Sequence, residues 1–272
     1  MTGPSIRKSS IKPTDLAAMT DARVALGRCG SGMPTRAALA FLLDHARARE
    51  AVWSMVDHRA LEEALTDLPV DIIHVDSQAH DRGSYVRRPD LGRKLSASSS
   101  QRLAASAHGF DVVIVAADGL SSRAVDINAA PLVLKLVGRL QSRRLSVGPL
   151  VIASQARVAL GDPIGETLGA KVAIVVIGER PGLSAADSLG AYVTHTPRIG
   201  TPDSLRNCVS NIRSGGLQIE DAAETLVTLV TDMIATGTSG VGLKAAVARL
   251  QSQPVERRLG SVDTERAINL NG

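Results

Sequence analysis

Apolar residues recur at helical spacing through residues 34–68 (Leu39, Leu42, Leu43, Ala46, Val52, Met55, Val56, Leu61, Leu65), with an interruption near Asp57, and this pattern predicts two helices. After Pro69 the run Ile72-Ile73-His74-Val75 predicts a short strand, and a polar, charged stretch follows it over residues 76–89. A further helix is expected over residues 91–107, with Gly109 as its stop. Beyond Gly109 the rhythm changes to short β-branched runs, each followed by Gly or Pro and then by a helical pattern. Strands are expected at residues 110–116, 147–154, 171–178 and 191–195, and helices at 131–142, 163–169 and 219–236. The last helix is strongly amphipathic, with Ile219, Ala222, Ala223, Leu226, Val230, Met233 and Ile234 on one face.

Strands alternating with helices predict an α/β fold: a Rossmann-like, mostly parallel sheet over residues 109–243 behind an N-terminal helical segment, residues 21–108. Residues 1–20 read as a flexible arm, and residues 244–272 as a tail that is helical at first and then loose. Ligands of such sheets sit beyond the carboxyl ends of the strands, which points to the segments after Ala116, Ser154, Gly178 and His195.

Composition narrows the function classes. The 272 residues are 44% hydrophobic, enough for one substantial core. No apolar run approaches the roughly 18 residues that span a membrane, and residues 1–13 lack the block of about 7–15 apolar residues that a signal peptide carries. A cytoplasmic protein is expected. Cys29 and Cys208 cannot form a disulfide framework and read as free thiols. The net charge of +4 comes from 31 basic against 27 acidic residues, and the bases are interleaved with acids, as in Asp44-His45-Ala46-Arg47-Ala48-Arg49-Glu50. That scatter, and a chain with only two Phe, two Tyr and one Trp to stack on bases, argue against nucleic-acid binding.

The familiar nucleotide signatures are missing. No G-x-x-x-x-G-K-[ST] occurs, and the nearest match to the dinucleotide fingerprint, Gly240-Val241-Gly242-Leu243-Lys244-Ala245, follows a helix whose stop its glycines would mark. Gly27-Arg28-Cys29-Gly30-Ser31-Gly32 resembles a phosphate loop in composition only. His45, His58, His74, His80, His108 and His195 form no H-E-x-x-H, and no G-x-S-x-G elbow is present. Polar residues do cluster at strand ends: Asp118-Gly119-Leu120-Ser121, Gln155-Ala156-Arg157-Val158 and Gly178-Glu179-Arg180-Pro181-Gly182. For Glu179 two readings stand level, a solvated acid paired with Arg180 or an acceptor for ligand N–H groups. A nucleotide-dependent oxidoreductase and a purely structural interaction protein remain as alternatives at this point.

Several runs, taken together and in order, resemble the small subunit of ethanolamine ammonia-lyase. They are Arg23-Val24-Ala25-Leu26-Gly27-Arg28, Pro34-Thr35-Arg36, Asp44-His45-Ala46-Arg47-Ala48-Arg49, Arg88-Pro89-Asp90-Leu91-Gly92-Arg93, Asp118-Gly119-Leu120-Ser121, residues 161–172, Gly178-Glu179-Arg180-Pro181-Gly182-Leu183 and Cys208-Val209-Ser210-Asn211-Ile212. The resemblance covers residues 21–243. It implies an adenosylcobalamin-dependent lyase that converts ethanolamine to acetaldehyde and ammonia, in which a large barrel subunit holds the substrate and the small subunit helps hold the cobalamin at the interface. A chain of this kind is inactive alone.

The family's cobalamin-contacting motif positions fall on Val158, Glu179 and Cys208. Glu179 would accept from the corrinoid's amide groups. Val158 would offer apolar contact and its backbone, and Cys208 its backbone or sulfur, although buried packing explains Cys208 as well. Asp118, Arg180, Asn211 and Arg213 are expected behind these residues or at the subunit interface. Gln78-Ala79-His80-Asp81-Arg82-Gly83 lacks the first Asp of the D-x-H-x-x-G motif, so the resemblance implies a cobalamin with its own base on cobalt. The short N-terminal arm makes an encapsulation signal doubtful, and cytoplasm outside any shell is at least as good an expectation as a bacterial microcompartment.

Overall fold

The computed structural model describes residues 19, 22–24 and 26–252. The expected flexible arm, apart from Met19, and the loose part of the expected tail lie outside the described residues. Two helices open the fold, α1 (Thr35–Trp53) and α2 (His58–Ala64). The break between them has a local cause, since the Asp57 side chain accepts from the Ala60 amide and caps α2. Strand β1 (Ile72–Asp76) follows as expected.

The polar stretch after β1 is not featureless. It carries α3 (Arg82–Arg87), started by Asp81 accepting from the Ser84 amide at 2.7 Å. The single helix expected over 91–107 is two pieces, a 3-10 turn at Leu91–Arg93 and α4 (Ala97–Ala104). Between them Leu95 pairs with Ser77 as an isolated bridge, and Ser96 caps α4 through the Ser99 amide.

Next come β2 (Val112–Ala117) and α5 (Ser122–Ser142). Helix α5 begins at its Ser121 cap and runs through Pro131, the residue at which the sequence pattern had placed its start. Pro is favoured at a first helical position but is also tolerated inside a helix that packing holds in place. Here Ala129, Ala130, Leu132 and Val133 are all buried around it.

Strand β3 (Val147–Ser154) leads through a 3-10 turn (Val158–Leu160) into α6 (Gly161–Thr167), and β4 (Val172–Gly178) follows. The remaining elements are β5 (Leu189–His195), β6 (Arg206–Ile212), α7 (Ile219–Thr236) and α8 (Leu243–Ser252). Helix α7 stops at Gly237, which adopts the left-handed conformation at φ 67°, rather than at the Gly240–Gly242 turn.

The six strands form one sheet in the order β1-β3-β2-β4-β5-β6. The first four are parallel, and β5 and β6 are antiparallel additions, so the sheet is mixed. Residues before 109 therefore contribute an edge strand. Strands β2 and β4 are buried on both faces, which accounts for their uninterrupted Val, Ile and Ala. Alternate residues feed two cores: Ile114, Ile152 and Ile174 pack under α5 and α7, while Val115, Val151 and Val175 pack under α4 and α6. Each fully buried Val or Ile contributes about 1.5–3 kcal/mol.

The antiparallel run of β5 corrects one expectation. His195 pairs with Val172, at the amino end of β4, so the segment after His195 leaves from the opposite edge of the sheet to the carboxyl ends of the parallel strands. Leu189, at the start of β5, is the residue beside Gly178.

Candidate functional site

At the carboxyl end of the parallel strands, β2 and β4 stop side by side and the chain crosses between them. The Leu120 amide donates to the Gly178 carbonyl at 2.9 Å, and Gly119 turns with φ +60°. A Cβ at Gly119 would lie 2.2 Å from the Gly178 oxygen, so only glycine permits the approach.

Asp118, the residue that follows β2, organises the neighbouring turn. Its carboxylate accepts from the amides of Gly119 (2.9 Å), Gln155 (2.7 Å) and Ala156 (2.9 Å) and faces the Arg82 guanidinium at 3.7 Å. Burial pushes this carboxyl's pKa up, while the Ala156 and Gln155 amides and Arg82 pull it back. Both oxygens are acceptors here, so the cage holds the ionised form. Asp118 thus fixes the chain that carries Arg157 and Val158 rather than facing a ligand.

Arg82 also donates to the Gly119 carbonyl at 2.8 Å and to the Val52 carbonyl at 2.6 Å. It lies 4.7 Å from the ring centroid of buried Tyr85, and Arg157 lies 4.2 Å from the same centroid. The Tyr85 hydroxyl donates to the Ala156 carbonyl, and Arg157 donates to the Tyr85 carbonyl, both at 3.0 Å.

Two cavities open beside this scaffold. One, of about 470 Å³, is lined by Tyr85, Gly119, Leu120, Arg157, Val158, Ile177, Gly178, Glu179, Arg180 and Tyr192. The other, of about 320 Å³, is lined by Arg93, Arg157, Val158, Ala159, Tyr192, Asp203, Arg206 and Cys208. They share Arg157, Val158 and Tyr192 and form one groove. The groove follows from the sheet. Tyr192 pairs with Val175 on one side and with Cys208 on the other. The opposite face of the β5–β6 ribbon packs under α7.

Val158, Glu179 and Cys208, far apart in sequence, therefore line the same groove. Glu179 is not paired with Arg180 as one reading had it. Its carboxylate accepts from the Ser188 hydroxyl and from the Asn211 amide at 3.3 Å. Asn211 sits at φ 57° and accepts from the Arg213 guanidinium at 2.9 Å, so both residues stand behind Glu179. Gly190 leaves room for the carboxylate, because a Cβ there would meet Glu179 Oε1 at 2.9 Å. Arg180 is exposed at the rim.

Cys29 and Cys208 are both free and exposed. Among the described residues no group of three or more His, Cys, Asp or Glu is placed to hold a metal ion. Likewise, no single helix there is long and apolar enough to cross a membrane. Although Cys208 is exposed, partial desolvation by its surroundings and the nearby Glu179 push its thiol pKa up, against a pull from the Tyr192 hydroxyl, and burial and Cys208 push Tyr192 up to about 12. Cys208 is therefore a neutral thiol at pH 7. In a Cys29→Ser background, iodoacetamide alkylation of the isolated chain is expected to rise with a midpoint above the ordinary thiol value of about 8.5. A midpoint at or below that value would contradict the environment described.

Tyr85, Arg93 and Tyr192 line the groove without having been picked out from the sequence. Tyr85 and Tyr192 are two of only five aromatic residues in the chain, and that scarcity was the available signal.

Residues 12–244 match the family model for the ethanolamine ammonia-lyase light chain. The ethanolamine ammonia-lyase small subunit of Rhodopseudomonas palustris (strain BisA53) is 48% identical over 245 residues, covering 90% of this chain and 93% of that one. Those of Bradyrhizobium diazoefficiens and Pseudomonas fluorescens (strain Pf0-1) are 47% and 46% identical, covering 90% and 88% of this chain and 94% and 89% of theirs. A nucleotide-dependent oxidoreductase finds no support in these matches. The chain belongs to the ethanolamine ammonia-lyase small-subunit, or light-chain, family.

Proposed function

We propose that the chain is the small subunit of an adenosylcobalamin-dependent ethanolamine ammonia-lyase, holding the cobalamin against a large subunit that binds ethanolamine. The observation that carries this reading is the convergence of Val158, Glu179 and Cys208 on one groove at the carboxyl end of the sheet. The parallel strands β2, β3 and β4, to which β1 adds an edge from before residue 109, are the part of residues 109–243 that we read as a Rossmann-like cobalamin-binding unit.

The residues present suit the cofactor. A corrinoid offers amide N–H donors and an apolar rim, and the groove offers a carboxylate, the Val158 side chain and the Tyr192 ring. Glu179 enters with Ser188 and Asn211 already donating to one oxygen, so its orientation is set before a ligand arrives. Val158 and Cys208 then give an uncharged wall beside it. When bound, adenosylcobalamin supplies a cobalt–carbon bond whose homolysis provides the radical for hydrogen abstraction at the large subunit's substrate site. The chain's own part is to bind, orient and shield from water. His80 belongs to no D-x-H-x-x-G run and would not serve as a ligand to the cobalt in this reading.

A partner is supported by helix α1. Leu39, Leu42, Leu43 and Trp53 are all at least half exposed, and Ala51 is its one buried residue. Such an apolar surface suits a subunit interface. We place the assembly in the cytoplasm, with a microcompartment as the second location.

Co-expression with the large chain, with and without adenosylcobalamin, tests the function: ethanolamine deamination is expected only when both chains and the cofactor are present. Equal activity from the large chain alone would refute it. In the complex, Glu179→Ala is expected to weaken cobalamin binding about tenfold, the scale of one charge-assisted hydrogen bond. Assembly on size-exclusion chromatography should not change, and an unaltered cofactor affinity would remove Glu179 as a contact.

A further inference from the structure

The smaller cavity has a charge that the proposed corrinoid contacts leave unexplained. Three arginines line it, and they are not equivalent. Arg206 is saturated: it grips Asp162 with two bonds of 2.6 and 2.8 Å and donates to Asp203 at 3.0 Å. Arg157 has no carboxylate partner among the described residues, and its Nε is buried with no hydrogen bond. Arg93 is exposed and makes no ion pair among the described residues. Asp203 is the one acid lining the cavity, and Arg206 already engages it.

The position of Arg93 is built into the fold. The Arg157 amide donates to the Gly92 carbonyl at 2.8 Å, and a Cβ at Gly92 would meet Arg157 Cγ at 2.9 Å and the Gln155 carbonyl at 3.0 Å. Glycine there lets the Leu91–Arg93 turn press onto the chain that carries Arg157, which sets two uncompensated guanidinium groups on one cavity beside Val158 and Cys208. Such a pair is suited to a phosphate oxyanion, which guanidinium groups bind through several N–H donors at once.

We infer that this cavity is an anion subsite in which Arg93, supported by Arg157, binds the phosphodiester of the cobalamin nucleotide tail. The inference rests on the cobalamin reading above. The phosphodiester is the one anionic group on the organic periphery of a cobalamin, and Val158 ties the two cavities together. The corrin amides then meet Glu179 in the larger cavity while the tail descends toward Arg93.

Cobinamide, which keeps the corrin ring and lacks the phosphodiester-linked base, separates the two interactions. The complex of both chains is titrated with hydroxocobalamin and with aquocobinamide, and binding is read from the corrinoid absorption spectrum. Arg93→Gln is expected to raise the apparent Kd for cobalamin about tenfold or more and to leave that for cobinamide unchanged. Arg93→Lys, which keeps the charge, should recover most of the loss. Equal weakening of both corrinoids, as expected if Arg93 pairs instead with a large-subunit carboxylate, would overturn the proposal. So would no weakening of either, or identical behaviour of the Gln and Lys variants. A wild-type complex that takes up cobinamide and cobalamin equally well removes the subsite but keeps the cobalamin reading; one that takes up neither removes both.

Discussion

Gly178→Ala is expected to cost about 3 kcal/mol of stability or more, a large fraction of the roughly 5–15 kcal/mol that holds a domain folded. Gly178 ends β4 at the point where the chain leaving β2 crosses over it. A Cβ there would lie 2.1 Å from the Ser121 carbonyl oxygen and 2.8 Å from that of Asp118. Overpacking costs about 1–3 kcal/mol where side chains can shift. Here the obstacles are backbone atoms at the start of α5, so relief requires moving the helix. The crossing is closed from the other side too, because Gly119 presses on the Gly178 carbonyl with positive φ. Gly138→Ala is the control, since nothing lies within 4 Å of its added Cβ. On the exposed face of α5, about one turn before its end, it should stabilise by about 0.5–1 kcal/mol. Urea unfolding of the two variants decides the matter, and a Gly178→Ala chain as stable as Gly138→Ala would show that the close crossing does not exist in solution. The same glycines line the larger cavity, so a chain that survives the substitution should also bind cobalamin more weakly in the complex.

What could be read from the sequence depended on how symmetrically each element is buried. Strand β4 was legible because both faces are covered and every residue from Val172 to Ile177 is apolar. Helix α7 was legible because one face alone is covered, giving a clean helical period ended by a left-handed glycine. Strand β6 carries neither signal. It is an edge strand with only Val209 and Ile212 buried, and Arg206, Asn207, Cys208, Ser210 and Asn211 look like loop residues until β5 is beside them. Its antiparallel direction, and that of β5, was illegible for a related reason: hydrophobic patterning reports which residues are buried but not which way a strand runs. Helix α3 escaped notice because six residues with two buried, Arg82 and Tyr85, have no period to detect.

The candidate site divides along similar lines. Strand-end polar clusters marked Asp118, Arg157, Val158 and Glu179 as a group, while Cys208 joined them only through the family resemblance, since its proximity depends on the β5–β6 pairing. Asp118 changed its role on folding. A short carboxylate before a glycine turn looks available to a ligand, but its oxygens are taken up by the chain's own amides and a guanidinium. Arg93 was invisible as a site residue, since a surface arginine becomes one only when a neighbouring arginine has no acid to pair with.

Asp118→Ala is expected to have an effect as large as that of the glycine variant, by a different route. The substitution leaves the Gln155 and Ala156 amides without acceptors and leaves the Arg82 guanidinium, 8% exposed, with no counter-ion. Removing one member of a buried pair costs about 3–5 kcal/mol, most of it the price of the stranded charge. Arg82 has no spare partner to turn to, because its Nη2 is already buried without a hydrogen bond. Asp118→Asn keeps an oxygen acceptor for part of the cage and should cost less, about 2 kcal/mol. The decisive comparison is the double variant Asp118→Ala with Arg82→Met, which removes the charge along with its partner. If the stranded guanidinium dominates, the double variant should be more stable than Asp118→Ala by at least about 1 kcal/mol in urea unfolding. If the loss lies in the orphaned amides instead, adding Arg82→Met would bring no recovery. Either way the 154–158 turn loosens, and with it Arg157 and Val158 at the junction of the two cavities. Cobalamin binding by the complex should therefore fall in proportion to the stability lost at this turn, although Asp118 itself touches no ligand in the proposed arrangement.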